Sequence, residues 1–123
     1  MDVVLNIAPA GAWAIARQTG SYEPPTLETE GFIHLSRPEQ VHLPANALYS
    51  DTPDLVLLWI DPTRVTAEIR DEPPVPGAGM TFPHLYGPLN VEAVVAESPL
   101  RPWKRGEFTL PAQPSRGMTL RRE

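Results

Sequence analysis

Most of the apolar residues lie in short runs that are typical of β-strands. Residues 3–7 are aliphatic around a single asparagine and favour a first strand. Residues 55–60 form a continuous apolar run, which indicates a strand in the middle of a sheet with both faces covered. Apolar and polar side chains alternate over residues 65–70, which predicts a strand with one solvent-exposed face. Residues 89–97 predict a further strand, and residues 108–110 a candidate edge strand.

Two segments carry signals for helices. Pro9 suits the first turn of a helix in which Trp13 and other apolar residues recur at helical spacing, so Trp13 is expected in the core. Gly20 is a typical C-terminal stop for this helix. Residues 36–39, Ser-Arg-Pro-Glu, match a capping box, and a second helix is therefore expected over residues 38–42.

Prolines and glycines divide the chain into short elements. The 16 prolines and 8 glycines disfavour a bundle of long helices. Residues 21–30 are expected to form an extended polar connection, and residues 73–79 a surface loop. The whole pattern predicts an α+β fold: a single compact domain with a mixed or split β-sheet of about five or six short strands and about two or three short helices.

Length and charge restrict the class of protein further. A chain of 123 residues suits one domain with one hydrophobic core. Residues 1–100 carry a net charge of −9, and residues 101–123 a net charge of +4. The acidic body disfavours general nucleic-acid binding, which requires clustered cations. We expect a single domain over residues 1–110 and a flexible, basic, proline-containing tail over residues 111–123.

The composition also bears on the compartment. The chain has no cysteine, which excludes disulfides, a thiolate nucleophile and cysteine-ligated zinc. The first residues lack the features of a signal peptide, and no apolar run approaches the roughly 20 residues that a membrane-spanning helix needs. These features predict a cytoplasmic protein with no membrane partner, and they leave the oligomeric state open.

Two strand-like segments each place one histidine among apolar residues. The sequence Gly-Phe-Ile-His-Leu-Ser puts His34 two positions before Ser36, and Phe-Pro-His-Leu-Tyr-Gly puts His84 two positions before Tyr86. Residues two apart in a strand point to the same face. If the two strands are neighbours, the four side chains would form a polar patch able to bind a phosphate, a ribose or a carboxylate.

Other interpretations of the histidines remain open. They can be structural, since buried polar groups usually find hydrogen-bond partners without any chemistry. Two facing His-x-Ser/Thr units would suit a phosphoesterase with one imidazole as base and the other as acid, but the second unit ends in Tyr86. A metal site would need three ligands, and His42 and Glu39 lack metal-binding spacing, so no metal is expected. A helix cap explains Ser36 better than a catalytic triad does.

Several stretches of the chain carry a resemblance to a known family. They extend from about Val4 to Leu100 and comprise Trp13, the region of Tyr22, GFIHLS at residues 31–36 with Gln40 and Val41, residues 54–58, and FPHLYGPL at residues 82–89. Together they resemble the bacterial family called domain of unknown function 952. The resemblance implies a fold akin to ADP-ribosyltransferases and RNA 2′-phosphotransferases, whose split sheet binds NAD or an ADP-ribosylated intermediate in a cleft.

The same resemblance implies roles for individual residues. Asn6 stands where many relatives have His or Lys; it can hydrogen-bond a ribose but brings no charge. His34 fits the position of a residue that braces the nicotinamide ribose. His84 or Tyr86 fits the position where transferases often have Glu. Glu72 is the only nearby carboxylate along the sequence.

These observations lead to two hypotheses of different classes. In the first, the domain binds a small nucleotide-like ligand of the NAD or ADP-ribose type in a two-histidine cleft, with NAD as the candidate cofactor. Whether it has ADP-ribosyltransferase-like or 2′-phosphotransferase-like activity is open. In the second, it is a non-catalytic structural or protein-interaction module with core histidines. The candidate catalytic residues are His34 and His84, and the candidate ligand-binding residues are Asn6, Tyr22, Ser36 and Tyr86.

Overall fold

The computed structural model describes residues 3–49 and 52–100 and has the predicted α+β architecture. Its helices are α1 (Ala10–Thr19), α2 (Pro25–Thr29) and α3 (His42–Tyr49), with 3₁₀ turns at Pro62–Arg64 and Val91–Ala93. Its strands are β1 (Val4–Pro9), β2 (Ser21–Tyr22), β3 (Ile33–His34), β4 (Leu55–Ile60), β5 (Glu68–Glu72), β6 (Phe82–Tyr86), β7 (Leu89–Asn90) and β8 (Val94–Leu100). The expected edge strand at 108–110 and the tail at 111–123 lie outside the described residues.

Hydrophobic core lies on both faces of an antiparallel sheet in which β4 lies between β1 and β8. Successive side chains of β4 point to opposite faces. Leu58 and Ile60 pack with α1 on one face, whereas Leu57 and Trp59 pack with Val41 on the other. All four are almost completely buried. The prediction of a central strand covered on both faces is therefore confirmed.

Helix α1 lies against this sheet and ends where the sequence predicts. Pro9 precedes its first turn, and Gly20 ends it with a φ of +93°, a left-handed conformation that favours glycine. The Gly20 N–H donates to the carbonyl of Ala16 at 2.8 Å. Trp13 is only 2% exposed, so its prediction as a core residue is confirmed.

Two smaller sheets complete the fold. In one, β6 lies between β3 and β5, and all three strands are antiparallel to their neighbours. In the other, β2 pairs with β7. The described residues form more strands than the expected five or six for two reasons. β2, with only two residues, is too short to produce a periodic pattern, and a 3₁₀ turn at Val91–Ala93 divides the expected strand over residues 89–97 into β7 and β8.

Three other local predictions were wrong in detail. Residues 38–41 form turns rather than a helix, and α3 begins only at His42. The turn is closed by Gln40, whose side-chain oxygen accepts from the Arg37 N–H at 2.9 Å. The expected extended connection contains β2 and the short helix α2. The alternating strand begins at Glu68, later than expected, because residues 66 and 67 form a bend in which the Thr66 N–H donates to Asn90 Oδ1 at 3.1 Å.

Gly87 directly follows β6 and lies beside Ala67, the residue that precedes β5. The ladder pairs Glu68 with Tyr86, so Ala67 and Gly87 come next to each other at its end. A Cβ atom added to Gly87 would lie 2.6 Å from the Ala67 Cβ, and the φ of +157° is one that residues with side chains rarely adopt. Glycine at this position therefore allows the chain to pass close to Ala67 at this end of the β5–β6 pair.

We expect Gly87→Ala to destabilise the protein by about 1–3 kcal/mol, the usual cost of forcing extra volume into a packed site. The control is Gly11→Ala, because a Cβ at Gly11 meets nothing within 4 Å. Since Gly11 lies in α1, that change should stabilise by up to about 1 kcal/mol. Urea unfolding would measure both effects.

Adding Ala67→Gly to the Gly87→Ala variant removes the clashing atom and should recover part of the loss. Equal unfolding free energies for Gly87→Ala and wild type would show that the close approach of residues 67 and 87 does not require a glycine.

Candidate functional site

The structure brings the two strand histidines onto one rung of a ladder. His34 of β3 pairs directly with His84 of β6, so both side chains leave the same face of the small sheet. The ring centroids are 5.5 Å apart and the ring planes meet at 78°. The two rings differ in accessibility: the His34 side chain is 53% exposed, whereas that of His84 is 5% exposed.

Phe32 is the aromatic centre of this group. Its ring stacks on His84 with centroids 4.0 Å apart and an interplanar angle of 13°. It also meets His34 edge-on at 4.9 Å and lies 5.3 Å from the Tyr86 ring. Phe32 is not among the site residues predicted from the sequence. The available signal was its position two residues before His34, which places both on the same side of an extended chain.

Glu72 connects His84 with Tyr86. Its Oε1 accepts from the Tyr86 hydroxyl at 2.5 Å and lies 2.8 Å from His84 Nδ1. These hydrogen bonds, the one from Tyr86 first, hold the pKa of Glu72 below its usual value. The same bond raises the pKa of Tyr86, because ionisation would place two negative charges side by side. We call Phe32, His34, Glu72, His84 and Tyr86 the histidine cluster.

Further charged residues border the histidine cluster. Glu30 Oε1 lies 3.0 Å from His34 Nε2. The Arg70 guanidinium lies over the Tyr86 ring, 4.5 Å from its centroid, and pairs with Glu68 at 3.0 Å. Hydrogen bonding to Arg70 lowers the pKa of Glu68. The cluster is therefore bordered by the carboxylates of Glu30 and Glu68 and by one cation, Arg70, which is paired with Glu68.

The other three predicted site residues lie apart from the cluster contacts. Asn6 is buried in β1, and its Nδ2 donates to the backbone carbonyl of His34 at 2.9 Å. Ser36 is buried and pairs through its backbone with Leu5. Tyr22 packs edge-on against Trp13 in the core, where burial raises its pKa to about 12.

Within residues 3–49 and 52–100, no group of three or more His, Cys, Asp or Glu side chains is arranged to hold a metal ion. None of the helices in these ranges combines the length and the hydropathy needed to cross a bilayer.

Comparison with known families identifies the chain. Residues 7–97 match the family described as "Protein of unknown function (DUF952)". The chain belongs to the DUF952 family. This match covers β6 and most of the structure described here, including every residue of the histidine cluster.

Solved structures of one protein are similar to this DUF952 chain. The crystal structure of protein CC0527 from Caulobacter crescentus has 31% sequence identity and a TM-score of 0.77, and it covers 88% of this chain and 94% of that one. The solution NMR structure of CC0527 gives 30% identity, a TM-score of 0.69 and coverage of 89% and 94%. A comparison with curated proteins found no match.

The cluster gives this DUF952 protein two imidazoles, each facing a carboxylate. His34 faces Glu30, and His84 faces Glu72. A carboxylate beside one ring nitrogen fixes the orientation and the tautomer of the imidazole, which leaves the other nitrogen for a ligand or a proton. The arrangement is therefore chemically suited to hydrogen bonding and to proton transfer at adjacent positions.

The low pKa of Glu72 predicts a defined loss of stability in acid. The folded state holds this proton less readily than the unfolded chain, so the carboxylate stabilises the fold above its ordinary pKa of 4.5. That contribution is lost as the pH falls through the folded-state value. We expect Glu72→Gln to lower the melting temperature near neutral pH and to reduce its further fall in acid.

Melting curves recorded by circular dichroism from neutral to acidic pH would test this prediction. Glu92→Gln, an exposed position on the 3₁₀ turn before β8, is the control and should keep the wild-type acid dependence. Parallel curves for wild type and Glu72→Gln would contradict the prediction.

Proposed function

We propose that this DUF952 protein binds a nucleotide-type ligand, of the NAD or ADP-ribose kind, at the histidine cluster. The observation that carries the proposal is the His34–His84 rung, where two imidazoles 5.5 Å apart share one face with an aromatic ring. NAD is the candidate cofactor, and catalysis by ADP-ribosyl or 2′-phosphate transfer stays a prediction.

The chemistry of the cluster supports this ligand class. Any heterocyclic base can stack on an aromatic side chain, because every base has a π-face. Phe32 offers such a ring beside both imidazoles. His34 is exposed enough for its ring to meet a ligand directly. Ribose hydroxyls suit the hydrogen-bonding capacity of His84 and Tyr86. In this proposal Asn6 acts indirectly, because its amide holds the backbone of His34.

A second candidate function is acid–base cleavage of a phosphoester. The observation that favours it is that each imidazole has its own carboxylate, which suits one histidine as base and the other as acid. The sequence favours the binding proposal, because the second His-x-Ser/Thr unit of such an enzyme is incomplete: Tyr86 stands where a Ser or Thr would be expected.

Nuclear magnetic resonance of the histidine side chains would test the binding proposal. The chain has three histidines, and the third, His42, begins α3 outside the cluster, so it serves as an internal control. Titration with NAD, ADP-ribose or a 2′-phosphorylated nucleotide should shift the His34 and His84 signals in a saturable way and leave those of His42 in place. Signals that stay unmoved at millimolar ligand would exclude the proposal. A 2′,3′-cyclic nucleotide in the same series would reveal phosphoester cleavage.

Stability measurements would separate the binding proposal from a purely structural role of the histidines. His34 is exposed and its ion pair with Glu30 is of a kind that contributes little, so His34→Ala should cost no more than about 1 kcal/mol. His84 is buried against Phe32 and Glu72, so His84→Ala should cost about 1–3 kcal/mol.

The binding proposal predicts that the His34→Ala variant stays folded but no longer binds the ligand. A structural module predicts instead that both substitutions destabilise the protein to a similar extent in urea unfolding, and that result would favour the alternative.

A further inference from the structure

Hydrogen-bond accounting at Glu72 restricts what the histidine cluster can offer a ligand. The hydrogen bonds that lower the pKa of Glu72 keep it ionised at neutral pH, and an ionised carboxylate only accepts. Its Oε1 therefore accepts from both His84 Nδ1 and the Tyr86 hydroxyl. The single proton of a neutral His84 ring must then sit on Nδ1.

The remaining polar atoms of these two side chains are acceptors. With its proton on Nδ1, neutral His84 has only a lone pair on Nε2. The Tyr86 hydroxyl already donates its one hydrogen bond to Glu72, so its oxygen can only accept a further hydrogen bond. A group that binds between them must supply donors. A ribose diol has two hydroxyl donors, whereas an ionised phosphate oxygen has none.

The charges around the cluster act in the same direction. Glu30 and Glu72 face the two imidazoles, and the nearby cation Arg70 is already paired with Glu68. A phosphate bound to His84 would lie near the negatively charged Glu72 carboxylate, which is 2.8 Å from His84 Nδ1. The two negative charges would repel each other, and among the described residues no unpaired cation beside the phosphate would offset this repulsion.

We propose that Glu72 is a positioning residue that gives the cluster an acceptor-only face and so selects the vicinal hydroxyls of a ribose over a phosphate group. The ligand half of this inference rests on the proposed function. It specifies that proposal: in NAD or ADP-ribose, a ribose diol would contact His84 and Tyr86, and the diphosphate would lie away from them.

The tautomer of His84 can be read without any ligand. Nitrogen NMR at about pH 8.5, above the ordinary histidine pKa, should show His84 protonated at Nδ1 and unprotonated at Nε2. Glu72→Gln should shift this distribution, because a glutamine amide can donate to Nδ1 as well as accept from it. Glu92→Gln removes the same charge at an exposed position outside the cluster and should keep the wild-type tautomer. A wild-type ring protonated at Nε2 would overturn the inference.

Three probes test the selectivity: adenosine, 2′,3′-dideoxyadenosine and adenosine 5′-monophosphate, each followed by the His84 signals. Removing the diol should weaken binding about tenfold, the effect of losing one or two hydrogen bonds. Adding the phosphate should give no gain. In Glu72→Gln the monophosphate should improve relative to adenosine by more than it does in Glu92→Gln, which leaves the Arg70–Glu68 pair intact.

The two proposals fail in different ways. If none of the probes moves the His34 or His84 signals, the proposed function and the ligand half of the inference both fall, whatever the tautomer. If the probes bind but the dideoxynucleoside or the monophosphate binds as well as or better than adenosine, the nucleotide site stands and the selective role of Glu72 is overturned.

Discussion

The register between β3 and β6 is the constraint on which the histidine cluster depends. His34 stands directly opposite His84, and a shift of one residue would turn one of the two rings to the other face of the sheet. A two-residue strand cannot fix its own register. The backbone beyond it does so, because the Leu35 N–H donates to the Pro83 carbonyl at 3.0 Å and continues the pairing past the histidines.

A polar clamp next to β3 strengthens this register. The Arg37 guanidinium donates to Asp71 at 2.7 Å and to the Thr81 carbonyl at 2.8 Å, while Gln40 Nε2 donates to the same carbonyl at 3.2 Å. The segment after β3 is thereby tied to β5 and to the last residue before β6. The pairing of β5 with β6 in turn brings Glu72 within reach of His84, so one ladder supplies both imidazoles and the carboxylate.

The sequence predicts the parts of the fold whose signals are local. The apolar run Leu55–Ile60 and the helix that ends at Gly20 are each specified by residues close together in the sequence. Both elements are found as expected. The pairing of His34 with His84 joins residues 50 positions apart, and no local pattern specifies such a partner. The contact of Glu72 with His84 depends in the same way on the pairing of β5 with β6 across the intervening loop.

The capping-box prediction failed because Ser36, which would have capped the helix, pairs instead with a strand residue distant in the sequence. The backbone of Ser36 exchanges hydrogen bonds with Leu5, at 2.7 and 2.9 Å, and this pairing draws the chain into an extended conformation where a helix would begin. The residue that closes the following turn is Gln40, one position beyond the glutamate of the motif.

The same junction explains why a polar residue lies in the middle of the apolar strand β1. Beside the Leu5–Ser36 bridge, the His34 carbonyl faces β1 and needs a donor, which Asn6 supplies through Nδ2. The cost is that Asn6 Oδ1 is buried without a hydrogen-bond partner, a penalty of about 1–3 kcal/mol. An aliphatic residue at position 6 would avoid that penalty but would leave the His34 carbonyl without this donor. Asn6 thus joins the large sheet to the strand that carries the exposed imidazole, a role that needs an amide N–H and no charge.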